Sequence, residues 1–124
     1  MARILVAEDN PGLSKVICFN LERAGHEVFA ARNGLLAWQE ATQNQYDMVV
    51  TDHQMPEMEG VELITRLRET TEYEHVPIFM LTAKQMELGV TKLCDELQIS
   101  AVLSKPFSPR EVVAKVEEFL QPSS

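Results

Sequence analysis

Asp47-Met48-Val49-Val50-Thr51-Asp52-His53-Gln54-Met55-Pro56 carries the most structural information in this chain. Met48 to Val50 is an apolar run of strand type that delivers the chain to a carboxylate at Asp52. A loop closed by Met55-Pro56 follows, with Gly60 beyond it. A buried strand with an acid at its C-terminal end is where open α/β sheets place their chemistry. Two other strand ends read the same way. Arg3-Ile4-Leu5-Val6-Ala7 runs into Glu8-Asp9, and Ala101-Val102-Leu103-Ser104 runs into Lys105-Pro106. Together the three ends form one site.

The elements between these strands follow from spacing and caps. Ile4 to Ala7 is continuously apolar, as a strand covered on both faces should be. Asn10-Pro11 predicts a helix start, with Leu13, Val16, Ile17, Leu21 and Ala24 at helical spacing and Gly25 as the stop. Glu27 to Ala30 is a short strand. Asn33-Gly34 turns into a helix over Leu35 to Thr42, with Leu36, Ala37 and Ala41 inward. After the strand Met48 to Thr51, Gly60 opens a helix with Val61, Leu63, Ile64 and Leu67 apolar. Thr70 to His75 reads as a polar connection, and Pro77 introduces the strand Ile78 to Leu81. A fourth helix spans Glu87 to Gln98, weakened near its start by Gly89, and a fifth strand covers Ala101 to Leu103. Ser108-Pro109-Arg110-Glu111 has the form of a capping box, opening a helix with Val112, Val113, Val116, Phe119 and Leu120 inward. Gln121 to Ser124 reads as a frayed tail. Five strands alternating with five helices predict a doubly wound parallel sheet, because each crossover is right-handed and covers one sheet face.

With 124 residues the chain suits a single domain over 1–124, and no repeat or linker divides it. The net charge of −8 argues against direct nucleic-acid binding and against adhesion to an anionic membrane. Cys18 and Cys94 lie in helical patterns without metal-type spacing and read as buried reduced thiols. No apolar run reaches the roughly 20 residues a bilayer requires. The first strand begins at once, leaving no room for a signal peptide, so a cytoplasmic location is expected.

The strand ends bring Glu8, Asp9 and Asp52 to one edge, with Thr82 and Lys105 beside them. Unit charges about 4 Å apart repel by roughly 1 kcal/mol in water and about 4 kcal/mol at an effective dielectric of 20. A bound cation or retained protons relieve that repulsion. A hard, oxygen-only donor set points to Mg²⁺. A metal-bound carboxylate beside a lysine and a hydroxyl is apparatus for accepting a phosphoryl group, with Asp52 attacking in line.

Over essentially its whole length the chain resembles the receiver domain of two-component response regulators. The matching residues are Glu8-Asp9, Asp52, Met55-Pro56 with Gly60, Leu81-Thr82-Ala83 and Lys105-Pro106-Phe107. The resemblance implies a CheY-like, flavodoxin-like sheet of order 2-1-3-4-5. It implies that Asp52 accepts a phosphoryl group from a histidine kinase or phosphotransfer protein. It further implies Mg²⁺ on Asp9, Asp52 and the backbone carbonyl of Gln54, with Glu8 acting through water. Thr82 and Lys105 would contact the phosphate, and the Lys105-Pro106 bond would be cis. Such a domain is a signalling module whose only catalysis is its own phosphoryl uptake and hydrolysis. Its phosphorylation state governs an effector domain or target protein, and pairing of two copies through the last helix is left open.

One departure stands out. Many receivers have Tyr or Phe three residues before the lysine, where this chain has Val102. The expectation is a muted rearrangement of the face made by the fourth helix, fifth strand and fifth helix. Gln54 and Lys84 occupy positions that tune hydrolysis in the family. The alternative is a pseudo-receiver, a binding module indifferent to phosphorylation, which would have no need of the ion. A phosphohydrolase usually carries its nucleophile after the first strand with a second Asp two residues on, where Gln54 stands here. A flavin binder is disfavoured because Glu8-Asp9 would repel the flavin phosphate. Outside the site, His26 and His75 read as surface loop residues and Trp38 as a partly exposed helix residue. Met55 and Met58 are candidates to line the pocket. His53 is read as pointing away from the catalytic face, since neighbouring strand residues alternate sides.

Overall fold

The computed structural model describes residues 2–55, 57–83, 94–105 and 108–120, apart from the side chains of Ala83 and Lys105. Strand β1 (Arg3–Ala7) leads into α1 (Pro11–Arg23), β2 (Glu27–Ala31), α2 (Gly34–Gln43) and β3 (Met48–Asp52). Then come α3 (Gly60–Arg68), a 3₁₀ turn (Thr71–Tyr73) and β4 (Ile78–Ala83). The end of α4 is described over residues 94–97, followed by β5 (Ala101–Lys105) and α5 (Pro109–Leu120). Most of the expected fourth helix, the Lys105-Pro106 bond, Lys84 and the tail lie outside the described residues.

All strand pairs are parallel, in the order β2-β1-β3-β4-β5. This is the doubly wound sheet expected from the alternation of elements. Because side chains alternate across a strand, each strand feeds two cores. Leu5, Val49, Ile78 and Met80 join Ala37, Leu63, Ile64 and Leu67 on the α2–α3 side. Ile4, Val6, Val50 and Phe79 join Ile17, Leu21, Val112 and Val116 on the α1–α5 side.

The helix starts follow their capping chemistry. Asn10 Oδ1 accepts from the Leu13 amide at 3.1 Å with Pro11 at the first turn, and Asn33 Oδ1 accepts from the Leu36 amide at 2.8 Å. Ser108 Oγ accepts from Glu111 N at 3.3 Å, the first half of the expected capping box. At the C-terminal end of α4, Gln98 takes the left-handed conformation (φ 53°) and Ile99 N donates to Cys94 O at 3.1 Å. That is the Schellman arrangement, with Gln98 where glycine is usual.

Several expectations need correction. Strands β4 and β5 run on to Ala83 and Lys105. Ladder hydrogen bonds need backbone and not apolar side chains, so a strand outlasts its hydrophobic run. His26 is not a surface residue: it is 9% exposed, its Nδ1 accepts from Ala2 N at 3.1 Å, and its Nε2 lies 2.6 Å from Glu117 Oε1. With Nδ1 accepting, the ring proton sits on Nε2 and is donated to Glu117. The Thr70 to His75 connection is not polar throughout, because Tyr73 is buried and its hydroxyl donates to the carbonyls of Ala41 and Asn44. Phe119 is 41% exposed, though its ring meets Phe79 edge-on at 5.2 Å. Val16 and Ala24 also face outward, and Ser14 is buried in their stead. Cys18 and Cys94 are free but only half-buried.

Candidate functional site

Pairing of β1 with β3 places Ala7 opposite Thr51. The next residues, Glu8 and Asp52, therefore leave the sheet at the same level. Between β3 and β4, Asp52 stands opposite Leu81, so Thr82 lies one step beyond. Between β4 and β5, Thr82 faces Ser104 and Ala83 faces Lys105. Register alone thus brings the ends of four strands to one edge.

Glu8, Asp9 and Asp52 each offer a carboxylate oxygen, and these oxygens lie within 4.8 Å of one another. Two of the three acids are deeply buried, Glu8 at 1% and Asp52 at 5% exposure, while Asp9 is exposed. Thr82 is fully buried beside them in the edge. Glu8 Oε2 accepts from the Asn10 backbone amide at 3.0 Å, which ties the acid to the capped start of α1. The positive end of that helix favours negative charge there.

Asp52 is held by main chain. Its Oδ1 accepts from His53 N at 3.1 Å, and the same N–H reaches Leu81 O at 2.8 Å. Thr51 Oγ1 donates to the Asp52 carbonyl at 3.0 Å. Gly60 N donates to His53 O at 2.9 Å, closing the loop between β3 and α3. Glycine is required at position 60, since a Cβ there would lie 3.1 Å from Asp52 C, 3.2 Å from His53 Cα, and against the Asp52 carbonyl oxygen.

Of the residues singled out from sequence, Glu8, Asp9, Asp52 and Thr82 meet at this edge. Gln54 is exposed in the following loop, and Lys105 reaches the edge by its backbone register. Met55 and Met58 are buried in the α2–α3 core. His53 contributes its backbone amide, which donates to Asp52 Oδ1. Asn10 and Thr51 also touch the site residues, Asn10 through its backbone amide to Glu8 and Thr51 through its hydroxyl to the Asp52 carbonyl. The sequence shows Asn10 as a helix cap, but its contact with Glu8 runs through a backbone amide, which leaves no motif.

The family profile of the response regulator receiver domain matches residues 4–117, and the chain belongs to that family. It is a phosphoacceptor receiver domain of two-component signalling. It is 37% identical over 121 residues to the alkaline phosphatase synthesis transcriptional regulatory protein PhoP of Bacillus subtilis, covering 98% of this chain and 49% of the relative. The chain spans about half the length of the curated relatives it matches. The chemotaxis protein CheY4 of Vibrio cholerae superposes with a TM-score of 0.89 at 28% identity, covering 97% of this chain and 99% of that one. The response regulator TrrA of Thermotoga maritima, solved in complex with Mg(2+)-BeF, gives a TM-score of 0.83 at 26% identity over 97% and 100% of the two chains.

Proposed function

We propose that Asp52 is the phosphoacceptor, that Mg²⁺ is the cation of the site, and that the phosphorylated and free forms differ in their affinity for a partner. The observation that carries this reading is the convergence of three carboxylates to within 4.8 Å beside a buried Thr82. Carboxylates crowded so closely, with no His or Cys among them, suit a hard divalent cation and in particular one that keeps part of its water shell.

Asp9 and Asp52 would hold the ion directly, with the Gln54 carbonyl, and Glu8 through water. When bound, the ion supplies positive charge against the acids and the phosphoryl oxygens. Asp52 does the bond-making. A carboxylate oxygen forms the new O–P bond as the P–N bond of a donor phosphohistidine breaks, and the released imidazole takes up a proton. The two amide bonds of His53 and Gly60 keep the acceptor in one orientation, so little freedom is lost on reaction. Thr82 would donate its hydroxyl to a phosphoryl oxygen and Lys105 would pair with another. Later attack of water on phosphorus releases phosphate and restores the carboxylate.

The donor is a histidine kinase or phosphotransfer protein, and the output is an effector domain or a target protein. The reading takes residues 1–124 as one domain, in the cytoplasm, acting on nucleic acid only through such a partner. Among the described residues no helix is long and apolar enough to cross a membrane.

Calorimetry with Mg²⁺ and then beryllofluoride tests the assignment. Wild type binds both, and Asp52→Asn loses the beryllofluoride heat. Equal heats from the two proteins would refute it.

A further inference from the structure

The loop that follows Asp52 is gripped at two points. One is Gly60, at the loop's own end. The other comes from a distant part of the chain. Gly34 is the first residue of α2, and a Cβ there would lie 2.7 Å from Met58 C and 2.9 Å from Met58 Cβ, with the Met58 oxygen nearer still. Real Cβ atoms do not come within 3.0 Å of such atoms. The main chain of Met58 therefore rests directly on the α-carbon of Gly34.

Three further features make this contact more than ordinary packing. Met58 is buried in the same core as Ala37, so the loop is seated by a side chain as well as by backbone. Its neighbour Glu57 holds φ at 69°, a left-handed conformation that a non-glycine residue keeps only where its surroundings enforce it. The turn beneath is itself fixed, because Asn33 Oδ1 caps it at Leu36 N. At the loop's other end His53 N–H holds Asp52 Oδ1 and Leu81 O together, so a displaced loop transmits its shift to the carboxylate.

We propose that Gly34 is a positioning residue for the Asp52 reaction: the first turn of α2 is the seat on which the phosphoacceptor loop is held in register with the acids. The proposal rests on the reading of Asp52 as the acceptor. Alanine at this position is a better helix former than glycine, so a plain loss of helix stability is not what the substitution reports. What it reports is the loop pushed off its seat by backbone atoms that have no flexible end to give way.

The test uses the full chain carrying Gly34→Ala, with two readouts. The first is phosphoryl uptake from acetyl phosphate with Mg²⁺, followed by intact mass. The second is amide exchange of His53 and Gly60 by NMR, which senses the loop whatever Asp52 does. Uptake slows roughly ten- to a hundredfold, in line with misplacement of about an ångström, and both amides exchange faster. Ala41→Gly, which weakens the same helix away from the loop, keeps the wild-type uptake rate. Wild-type uptake by Gly34→Ala, or equal slowing by Ala41→Gly, overturns the proposal. If Gly34→Ala does not fold, Asn33→Ala loosens the same turn without adding a Cβ; it slows uptake, and a wild-type rate overturns the idea. If the wild-type protein takes up no phosphoryl group, the Asp52 reading fails and exchange alone decides. Faster exchange in Gly34→Ala supports the seat, and unchanged exchange removes it.

Discussion

Among the described residues the guanidinium of Arg68, at the end of α3, makes five hydrogen bonds to backbone carbonyls, and the cost of removing it can be worked from them. Nε reaches Leu97 O at 2.9 Å, and Nη2 reaches Gln98 O at 2.8 Å. Nη1 reaches Tyr73 O and Val76 O at 2.8 Å each, and Glu74 O at 3.3 Å. The fork thus ties the end of α3 to the 3₁₀ turn, to the entry of β4 and to the carbonyl end of α4, where a cation is favoured. Arg68→Met keeps the apolar stem and deletes all five bonds. The Glu74 and Gln98 bonds are exposed, and water replaces the donor there. The Leu97, Tyr73 and Val76 carbonyls are partly buried, and an orphaned carbonyl of this kind costs about 1–3 kcal/mol. Burial lowers the Arg68 pKa, so part of the cost returns when the desolvated charge is removed. The lower figure is therefore the appropriate one, giving a loss of about 3 kcal/mol and about 10–15 °C in Tm for a domain of this size. Equilibrium unfolding in urea measures it. Arg68→Lys, which keeps the charge and loses the fork, recovers less than half. A loss below about 1 kcal/mol for Arg68→Met, or wild-type stability for Arg68→Lys, would refute the reasoning.

Three other outcomes follow from the same structure. Asn10→Ala deletes the α1 cap and lowers stability by about 1 kcal/mol, read from urea midpoints; a change under roughly 0.3 kcal/mol would show that Asn10 Oδ1 does not cap in solution. The Tyr46 hydroxyl is pushed well above its ordinary 10.0 by burial and by its bond to Glu40, and burial also raises Tyr73 and Cys18. Raised values mean the folded chain holds protons that the unfolded chain has lost, so this stability is intact below about pH 9 and declines as pH rises further. Midpoints falling between about pH 9 and pH 10.5, with a shallower fall in Tyr46→Phe, are expected, and equal slopes would contradict the assignment. Val102, half-buried against the α2–α3 core where many receivers carry an aromatic ring, predicts only small amide shifts in β5 and α5 on adding beryllofluoride. Large shifts there would refute a muted response.

The architecture was legible because its signals are local. Each core strand is a short apolar run ending at a charged or hydroxyl residue, and Asn10-Pro11 and Ser108-Pro109 mark helix starts by chemistry confined to four residues. The site was legible for the same reason, since a parallel sheet brings the C-terminal ends of its strands together without long-range information. What the sequence hid is non-local or carried by backbone. His26 follows Gly25 and looks like a turn, but its partners lie 24 and 91 residues away. Arg68 looks like a solvated helix end, because carbonyl acceptors have no residue signature. Tyr73 sits among Thr, Glu and His, and only the folded chain supplies the carbonyls its hydroxyl satisfies. Gly34 reads as a turn glycine, whereas its missing Cβ serves a loop more than twenty residues further on.

The most direct test of the account is to locate the phosphoryl group itself. After incubation with acetyl phosphate and Mg²⁺, intact mass and peptide mapping should show one added HPO₃ on the peptide containing Asp52. The addition should vanish on chelating the metal or in Asp52→Ala. The same gain in Asp52→Ala, or a phosphoryl group mapped to another residue, would contradict it.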